Sequence, residues 1–129
     1  MGLSLNSSKT SNKTLGDLGE GLAVKYLMRH GYRILVRKYR CPFGEIDIVA
    51  QDKDTLVFVE VRSKCGCEFG LPYETISRTK KGRLEKVALA FQKRFNLLDY
   101  DSRFDCVSIL FDDEGKAIKM ELFKDAFWT

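Results

Sequence analysis

The sequence has no long hydrophobic run, and this absence excludes one large class of protein. No apolar stretch approaches the roughly 20 residues that a membrane-spanning helix needs, and the N-terminus has no apolar core of a secretory signal peptide. We therefore expect a cytoplasmic protein without a membrane partner. Internal repeats are also missing, and beyond the first 13 residues there is no low-complexity segment, so a repeat architecture is not indicated.

Histidine is almost absent, which restricts the available catalytic and metal-binding chemistry. The one histidine, His30, falls at the predicted end of a helix, so a cysteine–histidine nucleophile pair is not indicated. Cys65 and Cys67 form a C-x-C rather than the C-x₂-C of zinc ribbons. Reduced thiols are the default in a cytoplasmic chain, and a structural zinc site built from Cys41, Cys65 and Cys67 stays open as an alternative.

Neither sign of charge predominates strongly, because 22 Lys and Arg residues against 18 Asp and Glu residues give a formal net charge of only +4. This value permits nucleic-acid binding without requiring it, so the distribution of charge matters more than its total. A chain of 129 residues is long enough for one domain with its own core. Residues 1–13 are rich in Ser, Asn and Lys without periodicity and are expected to form a disordered tail, leaving residues 14–129 as the domain.

What is present is a set of alternating helical and strand periodicities that predicts an α/β domain with element order α-β-β-β-α-β-β. The predicted elements are a helix Thr14–His30, a strand Tyr32–Lys38, hairpin strands Glu45–Ala50 and Leu56–Arg62, a helix Ser77–Phe95, and hairpin strands Arg103–Phe111 and Ala117–Phe123. Three glycines inside the first helix, Gly16, Gly19 and Gly21, each cost up to about 1 kcal/mol relative to alanine. They predict that this helix packs closely against another backbone.

Two strands of the first hairpin each carry a carboxylate where an aliphatic residue is expected, Asp47 and Glu60. Burial of an unpaired charge costs several kcal/mol or more, so the pair indicates a metal site or a catalytic site. A turn at residues 51–54 would pair Ala50 with Thr55 and put Asp47 and Glu60 on one face as diagonal neighbours, with Cα atoms roughly 7–8 Å apart. That face would also hold Glu45, Phe58 and Arg62, and the other face would hold Ile46, Ile48, Val57, Val59 and Val61.

The second predicted helix carries an excess of basic side chains on its polar face. Those near its N-terminus are Arg78, Lys80, Lys81, Arg83 and Lys86. Cations in the first turns oppose the helix dipole, which favours acids there. The arrangement is more easily understood if the helix N-terminus and its basic side chains meet phosphates. We expect these five residues to bind nucleic acid, with a plain solvated face as the alternative.

The order and spacing of several short motifs carry a family resemblance. The motifs are Gly19-Glu20 with Ala23 and Tyr26-Leu27, Gly31-Tyr32, Gly44-Glu45-Ile46-Asp47, Val57–Arg62, Phe69-Gly70 with Pro72, Lys80 with Leu84, and Arg103-Phe104-Asp105. Together they resemble the bacterial YraN family of predicted endonucleases, within the restriction-endonuclease-like, PD-(D/E)xK superfamily. The resemblance covers nearly the whole globular part, from about residue 14 to Phe127. It implies a mixed central β-sheet flanked by helices.

The resemblance also implies a metal site that acts on DNA, including branched or flapped DNA. By analogy with archaeal Holliday-junction resolvases of the same superfamily, Glu20 would join Asp47 and Glu60 as a ligand. Considered on the helix alone, Glu20 lies at the margin of the apolar stripe and is expected at the surface. Hard oxygen ligands suit Mg²⁺ or Mn²⁺, and the implied reaction is metal-assisted phosphodiester hydrolysis. A junction resolvase is usually a two-fold dimer.

One position departs from the superfamily pattern, because Arg62 stands where a lysine is usual. Arginine stays protonated, so it can stabilise charge on a phosphate but cannot serve as a general base. Lys64 shares the parity of Glu60 and Arg62 and could substitute if the strand continues that far. Two other classes of function therefore stay open: a non-catalytic nucleic-acid-binding protein, and a protein-interaction domain whose carboxylates pair with Arg40, Arg62 or Arg103.

Overall fold

A computed structural model describes residues 12–65 and 77–126 of the chain. Within these ranges the elements are α1 (Asn12–Arg29), β1 (Arg33–Cys41), β2 (Gly44–Asp52), β3 (Thr55–Cys65), α2 (Arg78–Arg94), β4 (Ser102–Phe111) and β5 (Ala117–Phe123). The predicted element order is confirmed. The predicted tail, apart from its last two residues, and most of the segment between β3 and α2 lie outside the described residues.

The five strands form one mixed sheet in the order β1-β2-β3-β4-β5. β3 and β4 are parallel, and the other neighbouring pairs are antiparallel. Parallel strands need a long crossover connection, and here the crossover contains α2. The predicted α/β class, with a mixed sheet flanked by helices, is therefore confirmed.

The two helices cover opposite faces of the sheet. On one face Leu27 of α1 packs in a cluster with Val57 and Val59 of β3. On the other face Phe91 of α2 packs against Phe58, with ring centroids 5.9 Å apart. Neither helix is long and apolar enough to cross a membrane. Side chains of β3 that alternate along the strand therefore reach two different helices.

The register of the β2–β3 hairpin differs from the predicted one by two residues. Asp52 pairs with Thr55, so the turn contains only Lys53 and Asp54. Lys53 adopts a left-handed backbone conformation, with φ of 57°. Two-residue turns of this kind match the twist of paired strands, and the ladder therefore extends through Gln51 and Asp52 although both are polar. Because side chains alternate between the two faces of a sheet, a shift of two residues leaves each side chain on its predicted face wherever both strands are regular.

Strand β2 separates from β3 at Asp47. The ladder ends at the pair Ile48–Val59. Beyond that pair, the backbone N–H of Val61 donates a hydrogen bond of 2.8 Å to Asp47 Oδ2, where a regular ladder would use a backbone carbonyl. Ile46 packs on the α2 side of the sheet although Ile48 packs on the α1 side. The predicted face of Ile46 is therefore wrong, because the alternation of β2 breaks at Asp47.

Helix α1 approaches β3 most closely at Gly19. A Cβ atom at Gly19 would lie 2.3 Å from Ser63 Oγ, whereas space is open around Gly16 and Gly21. Close packing is therefore present at one of the three glycines, but its nearest neighbours are side-chain atoms and not the backbone that was predicted. The apolar side of α1 centres on Ala23 and Leu27, which are fully buried.

We expect Gly19→Ala and Gly21→Ala to change the free energy of unfolding in opposite directions. Alanine at position 21 enters open space and should gain up to about 1 kcal/mol from helix propensity. Alanine at position 19 must displace Ser63 or α1, at a cost of about 1–3 kcal/mol. Urea denaturation of both variants measures the difference. Equal stabilisation by the two alanines would contradict the close contact at Gly19.

Candidate metal and active site

A pocket of about 290 Å³ opens where β2 leaves β3, and its wall carries four acidic side chains. Helix α1 contributes Asp17 and Glu20, and β2 contributes Glu45 and Asp47. Lys38 of β1 adds a basic side chain to the same wall. We call this the acidic pocket. It brings two of the three predicted ligands, from two separate elements, into one cavity.

Glu20 is buried, with 5% of its side chain exposed, so the expectation of a surface residue is wrong. The close contact of Gly19 with β3 holds this turn of α1 against the sheet. Glu20 Oε1 makes no hydrogen bond to the described residues and lies 3.6 Å from both Arg37 Nη2 and Lys38 Nζ. A buried oxygen without a hydrogen bond is costly, and such a group calls for a ligand, an ion or water.

Asp47 lies in an environment that favours its protonated form. Burial, followed by repulsion from the Glu60 carboxylate, raises the pKa of Asp47 to about 7. The carboxylates of Glu20 and Glu45 raise this pKa further by smaller amounts, and the hydrogen bond from Val61 opposes the increase. The carboxylates of α1, β2 and β3 therefore interact electrostatically at one point. A perturbed carboxyl group in a cleft marks a candidate functional site.

Glu60 of β3 is not among the residues that line the acidic pocket; its charge acts on Asp47, and its side chain is contacted by α2. Its side chain is 9% exposed, and Oε2 is in direct contact with Lys80 Nζ. Lys80 was expected on the nucleic-acid-binding face, but its ammonium group lies against one of the predicted ligands. Glu60 also pairs across the parallel ladder with Cys106. Burial and then Glu60 raise the pKa of Cys106 to about 12, which favours the protonated thiol.

The remaining predicted site residues lie further along β3. β3 continues to Cys65, so Lys64 lies on the same strand as Glu60 and Arg62, as its suggested role requires. Arg62 and Lys64 are both partly buried on this strand. The cationic charge of Arg62 reaches Cys106, where it opposes the upward effect of Glu60 on the thiol pKa.

The basic half of α2 adjoins the acidic pocket. Ser77 caps the helix, and its Oγ accepts a hydrogen bond of 3.1 Å from the N–H of Lys80. Arg83 and Lys80 line a second pocket of about 80 Å³, and Glu45 lines both pockets. Three of the five predicted nucleic-acid-binding residues are exposed, namely Arg78, Arg83 and Lys86. The other two, Lys80 and Lys81, are partly buried. The exposed residues continue from the second pocket along α2.

Strand β1 contributes two basic residues that sequence reasoning missed. Arg37 and Lys38 both approach Glu20, and Lys38 Nζ donates a hydrogen bond of 2.9 Å to Asp17 Oδ1. Lys38 has a left-handed backbone conformation, with φ of 54°, which is uncommon for a residue with a Cβ atom. The hydrogen bond from Lys38 to Asp17 raises the pKa of Lys38. The one available signal was the adjacent pair Arg37-Lys38, which breaks the alternation of β1.

Comparison with known proteins places these residues in a family. The model of the uncharacterised protein family UPF0102 matches residues 19–109, a range that contains all the predicted site residues. The chain belongs to the UPF0102 family. This result confirms the resemblance to the YraN family.

Relatives in the UPF0102 family match this chain over most of their length. A UPF0102 protein of Syntrophus aciditrophicus is 46% identical, over 92% of this chain and 91% of the relative. A UPF0102 protein of Pelotomaculum thermopropionicum is 44% identical, over 91% of this chain and 98% of the relative. A UPF0102 protein of Dictyoglomus turgidum is 38% identical, over 91% of this chain and 99% of the relative. The similarity therefore extends over most of the chain.

The segment Arg103-Phe104-Asp105 builds a network outside the acidic pocket. Arg103 donates hydrogen bonds of 2.9 Å to Asp105 Oδ1 and 2.8 Å to Asp52 Oδ2. Tyr32 donates one of 2.8 Å to Asp105 Oδ2. Arg103 thus pairs with carboxylates other than Asp47 and Glu60, which contradicts its part in the interaction-domain alternative. The network joins β2, β4 and the residue before β1, so its role is structural.

Cysteine does not form a recognisable site in the described part of this UPF0102 protein. Cys41 packs in the core on the α2 side, whereas Cys65 is exposed, with Sγ 3.6 Å from the carbonyl oxygen of Asp112. Cys67 lies outside the described residues. Among residues 12–65 and 77–126, no group of three or more acidic, histidine or cysteine side chains forms a ready-made metal cage.

Proposed function

We propose that this UPF0102 protein is an endonuclease that depends on Mg²⁺ or Mn²⁺ and hydrolyses phosphodiester bonds in DNA at the acidic pocket. The observation that carries the proposal is that Glu20 and Asp47 line one pocket where β2 separates from β3, while the Glu60 carboxylate of β3 acts electrostatically on Asp47. Each of the three comes from a different element, and repulsion from Glu60 and Glu20 adds to the effect of burial in raising the pKa of Asp47. A divalent cation would relieve that repulsion.

The donor set fits a hard divalent cation even though three ligands are not grouped as a cage. Mg²⁺ usually keeps several waters and is held by one or two carboxylates together with substrate phosphates. Asp47 with Glu60 or Glu20 would supply such carboxylates, and the buried Glu20 Oε1 has no hydrogen bond to the described residues. The ion, when bound, would polarise the phosphate and lower the pKa of the attacking water.

The protein itself contributes orientation and charge. The N–H of Val61 fixes Asp47 Oδ2, so the carboxylate cannot rotate freely. The packing of Gly19 against β3 keeps Glu20 in the pocket wall. Lys38, whose pKa is raised, stays protonated and places a positive charge beside Glu20. Arg62 can stabilise negative charge on a phosphate but cannot remove a proton from water.

The exposed basic residues of α2 would hold the DNA backbone beside the pocket. The first turn of α2 contains no acid, so the positive end of the helix dipole and the basic side chains act together on phosphates. This contact is electrostatic and independent of base sequence. It supports binding of DNA of any sequence.

A cleavage assay tests the proposed function directly. Purified protein is incubated with linear, flapped and four-way-junction DNA in Mn²⁺, beside Asp47→Ala and a surface control, Glu114→Gln, on the β4–β5 turn. We expect cleavage of at least one substrate by the wild type and the control, and none after chelation of the metal. The proposal would be refuted if Asp47→Ala still cleaved DNA, or if the wild type cleaved none of the three substrates.

Binding to DNA should weaken with salt, and part of that dependence should come from α2. Arg83→Ala and Lys86→Ala are each expected to reduce the slope of log affinity against log salt by about 1. Lys119 on β5 is exposed and lies on the far edge of the sheet, so Lys119→Ala serves as the matched control. Fluorescence anisotropy at several salt concentrations measures the slopes. A slope that is the same in all four proteins would remove α2 from the interface.

A further inference from the structure

Lys80 is set apart from the other basic residues of α2 by what it touches. Its ammonium group is in direct contact with Glu60 Oε2, and the Glu60 side chain is 9% exposed. Arg78, Arg83 and Lys86 are exposed on the same helix. A lysine that contacts a buried carboxylate contributes differently from one that reaches into solvent, because desolvated charges interact more strongly.

We propose that Lys80 belongs to the active site and supplies, from α2, the ammonium group that the superfamily pattern takes from β3. The inference rests on the proposed endonuclease function. Arg62 occupies the lysine position on β3, and a guanidinium does not replace the compact, mobile charge of a lysine. Lys80 brings that charge to Glu60 from α2, which packs on the sheet, whereas Arg62 lies two residues after Glu60 on β3 itself.

The helix geometry explains why Lys80 and not its neighbours reaches the carboxylate. Leu84 lies four residues after Lys80 and Val87 seven residues after it, and both are buried against the sheet. Residues at these spacings share one face of a helix. Lys80, whose side chain is 39% exposed, therefore lies on the same face of α2 as this buried stripe, at its N-terminal end. Ser77 fixes this turn through its hydrogen bond to the N–H of Lys80.

The contacts of Lys80 assign it two tasks in the reaction. In the protein without DNA it orients the Glu60 carboxylate by direct contact. It also lines the pocket that shares Glu45 with the acidic pocket, so a phosphate oxygen placed between the two pockets would accept a hydrogen bond from Nζ. Charge that develops on that oxygen during hydrolysis is stabilised by a positioned cation.

Lys80→Met tests the assignment, because methionine keeps the unbranched side chain and removes the charge. We expect kcat to fall about 100-fold or more, while affinity for DNA without divalent metal stays unchanged, because the Lys80 ammonium is held on Glu60 in the protein without DNA. Mn²⁺ should bind several-fold more tightly by calorimetry, since the ammonium no longer competes for Glu60. Lys80→Arg, which keeps a cation, should recover part of kcat.

Two matched variants on α2 separate this role from DNA binding. Lys81→Met removes a neighbouring charge and should weaken DNA binding and raise KM. Lys93→Met, in the last turn of α2, should leave affinity, kcat and Mn²⁺ binding unchanged. If Lys80→Met resembles Lys81→Met, with weaker DNA binding and kcat retained, Lys80 belongs to the DNA-binding face and the assignment is overturned.

The proposed function and this assignment fail in distinguishable ways. Absence of cleavage by the wild type would refute the endonuclease function, and with it any role of Lys80 in turnover. Cleavage by the wild type that is lost in Asp47→Ala, together with normal kcat and unchanged Mn²⁺ affinity in Lys80→Met, would refute only the assignment. Slower turnover of Lys80→Met combined with tighter Mn²⁺ binding supports the assignment. A misfolded variant would also turn over slowly, but it would bind Mn²⁺ more weakly than the wild type.

Discussion

Replacement of Asp47 by asparagine is expected to reduce cleavage about a thousandfold and, at the same time, to stabilise the metal-free protein at pH 8. The loss of activity follows from the removal of a carboxylate that would hold the ion and its charge. The gain in stability follows from the removal of a buried negative charge beside Glu60. Asparagine has the same shape and keeps an oxygen that accepts the hydrogen bond from Val61.

The sign and size of the stability effect follow from the pKa of Asp47, which is raised from 3.8 to about 7 in the folded protein. Between these values the folded state binds more protons than the unfolded state, so the free energy of unfolding falls as the pH rises from about 4 to 7. A tenfold change in proton affinity is worth about 1.4 kcal/mol. The penalty above pH 7 is therefore at most about 4 kcal/mol.

Urea denaturation at pH 5 and pH 8 in the presence of a chelator measures this effect. Asp47→Asn should be the more stable protein at pH 8 by about 2–4 kcal/mol, with a smaller advantage at pH 5. Asp113→Asn, an exposed substitution on the β4–β5 turn, should show neither change. An Asp47→Asn protein that is no more stable than the wild type at pH 8 would mean that the Asp47 charge is already compensated.

Divalent metal is expected to stabilise the wild type strongly at pH 8 and weakly at pH 5. Below pH 7 protons compete with the ion for Asp47, whereas above it the carboxylate is ionised and its repulsion with Glu60 favours cation binding. At a concentration one hundred times the Kd, a bound ion adds about 2.7 kcal/mol to the free energy of unfolding. The ion would thus reverse much of the penalty that Asp47 imposes.

Thermal or urea denaturation with and without Mn²⁺ at both pH values measures the stabilisation, and calorimetry gives the affinity. Asp47→Asn and Glu60→Ala should lose most of the metal effect, and Asp113→Asn should retain it. Metal binding near pH 7 should also release protons, seen as a heat that depends on the buffer. Equal stabilisation of wild type and Asp47→Asn would place the ion elsewhere.

Much of the fold was predictable because each element has a clear hydrophobic period. The order of elements and the second hairpin follow from alternation and from the turn at Gly115. The register of the first hairpin was wrong by two residues, since Gln51 and Asp52 are polar and were assigned to the turn. The break in β2 could not be predicted, because Ile46-Asp47-Ile48 has the pattern of a regular strand.

The candidate site was predictable only in part, for a related reason. Asp47 and Glu60 stand out because they are carboxylates in apolar strands. Glu20 follows only from the family resemblance, since its burial depends on how closely Gly19 approaches β3. Lys38 reaches the pocket through a left-handed backbone conformation that lysine seldom adopts. Its role, like the contact of Lys80 with Glu60, depends on tertiary geometry.

The position of β1 at the edge of the sheet has a consequence for self-association. An exposed edge strand offers unpaired backbone groups to another chain, and charged side chains are a common protection against such pairing. In nine residues β1 carries four basic side chains and no acidic one: Arg33, Arg37, Lys38 and Arg40. Two copies joined through β1 would bring eight basic side chains together and would crowd the ion pairs that Arg37, Lys38 and Arg40 make with acids of their own chain. A dimer of this protein should therefore assemble through another surface, and β1 should stay open to solvent or to a polyanion.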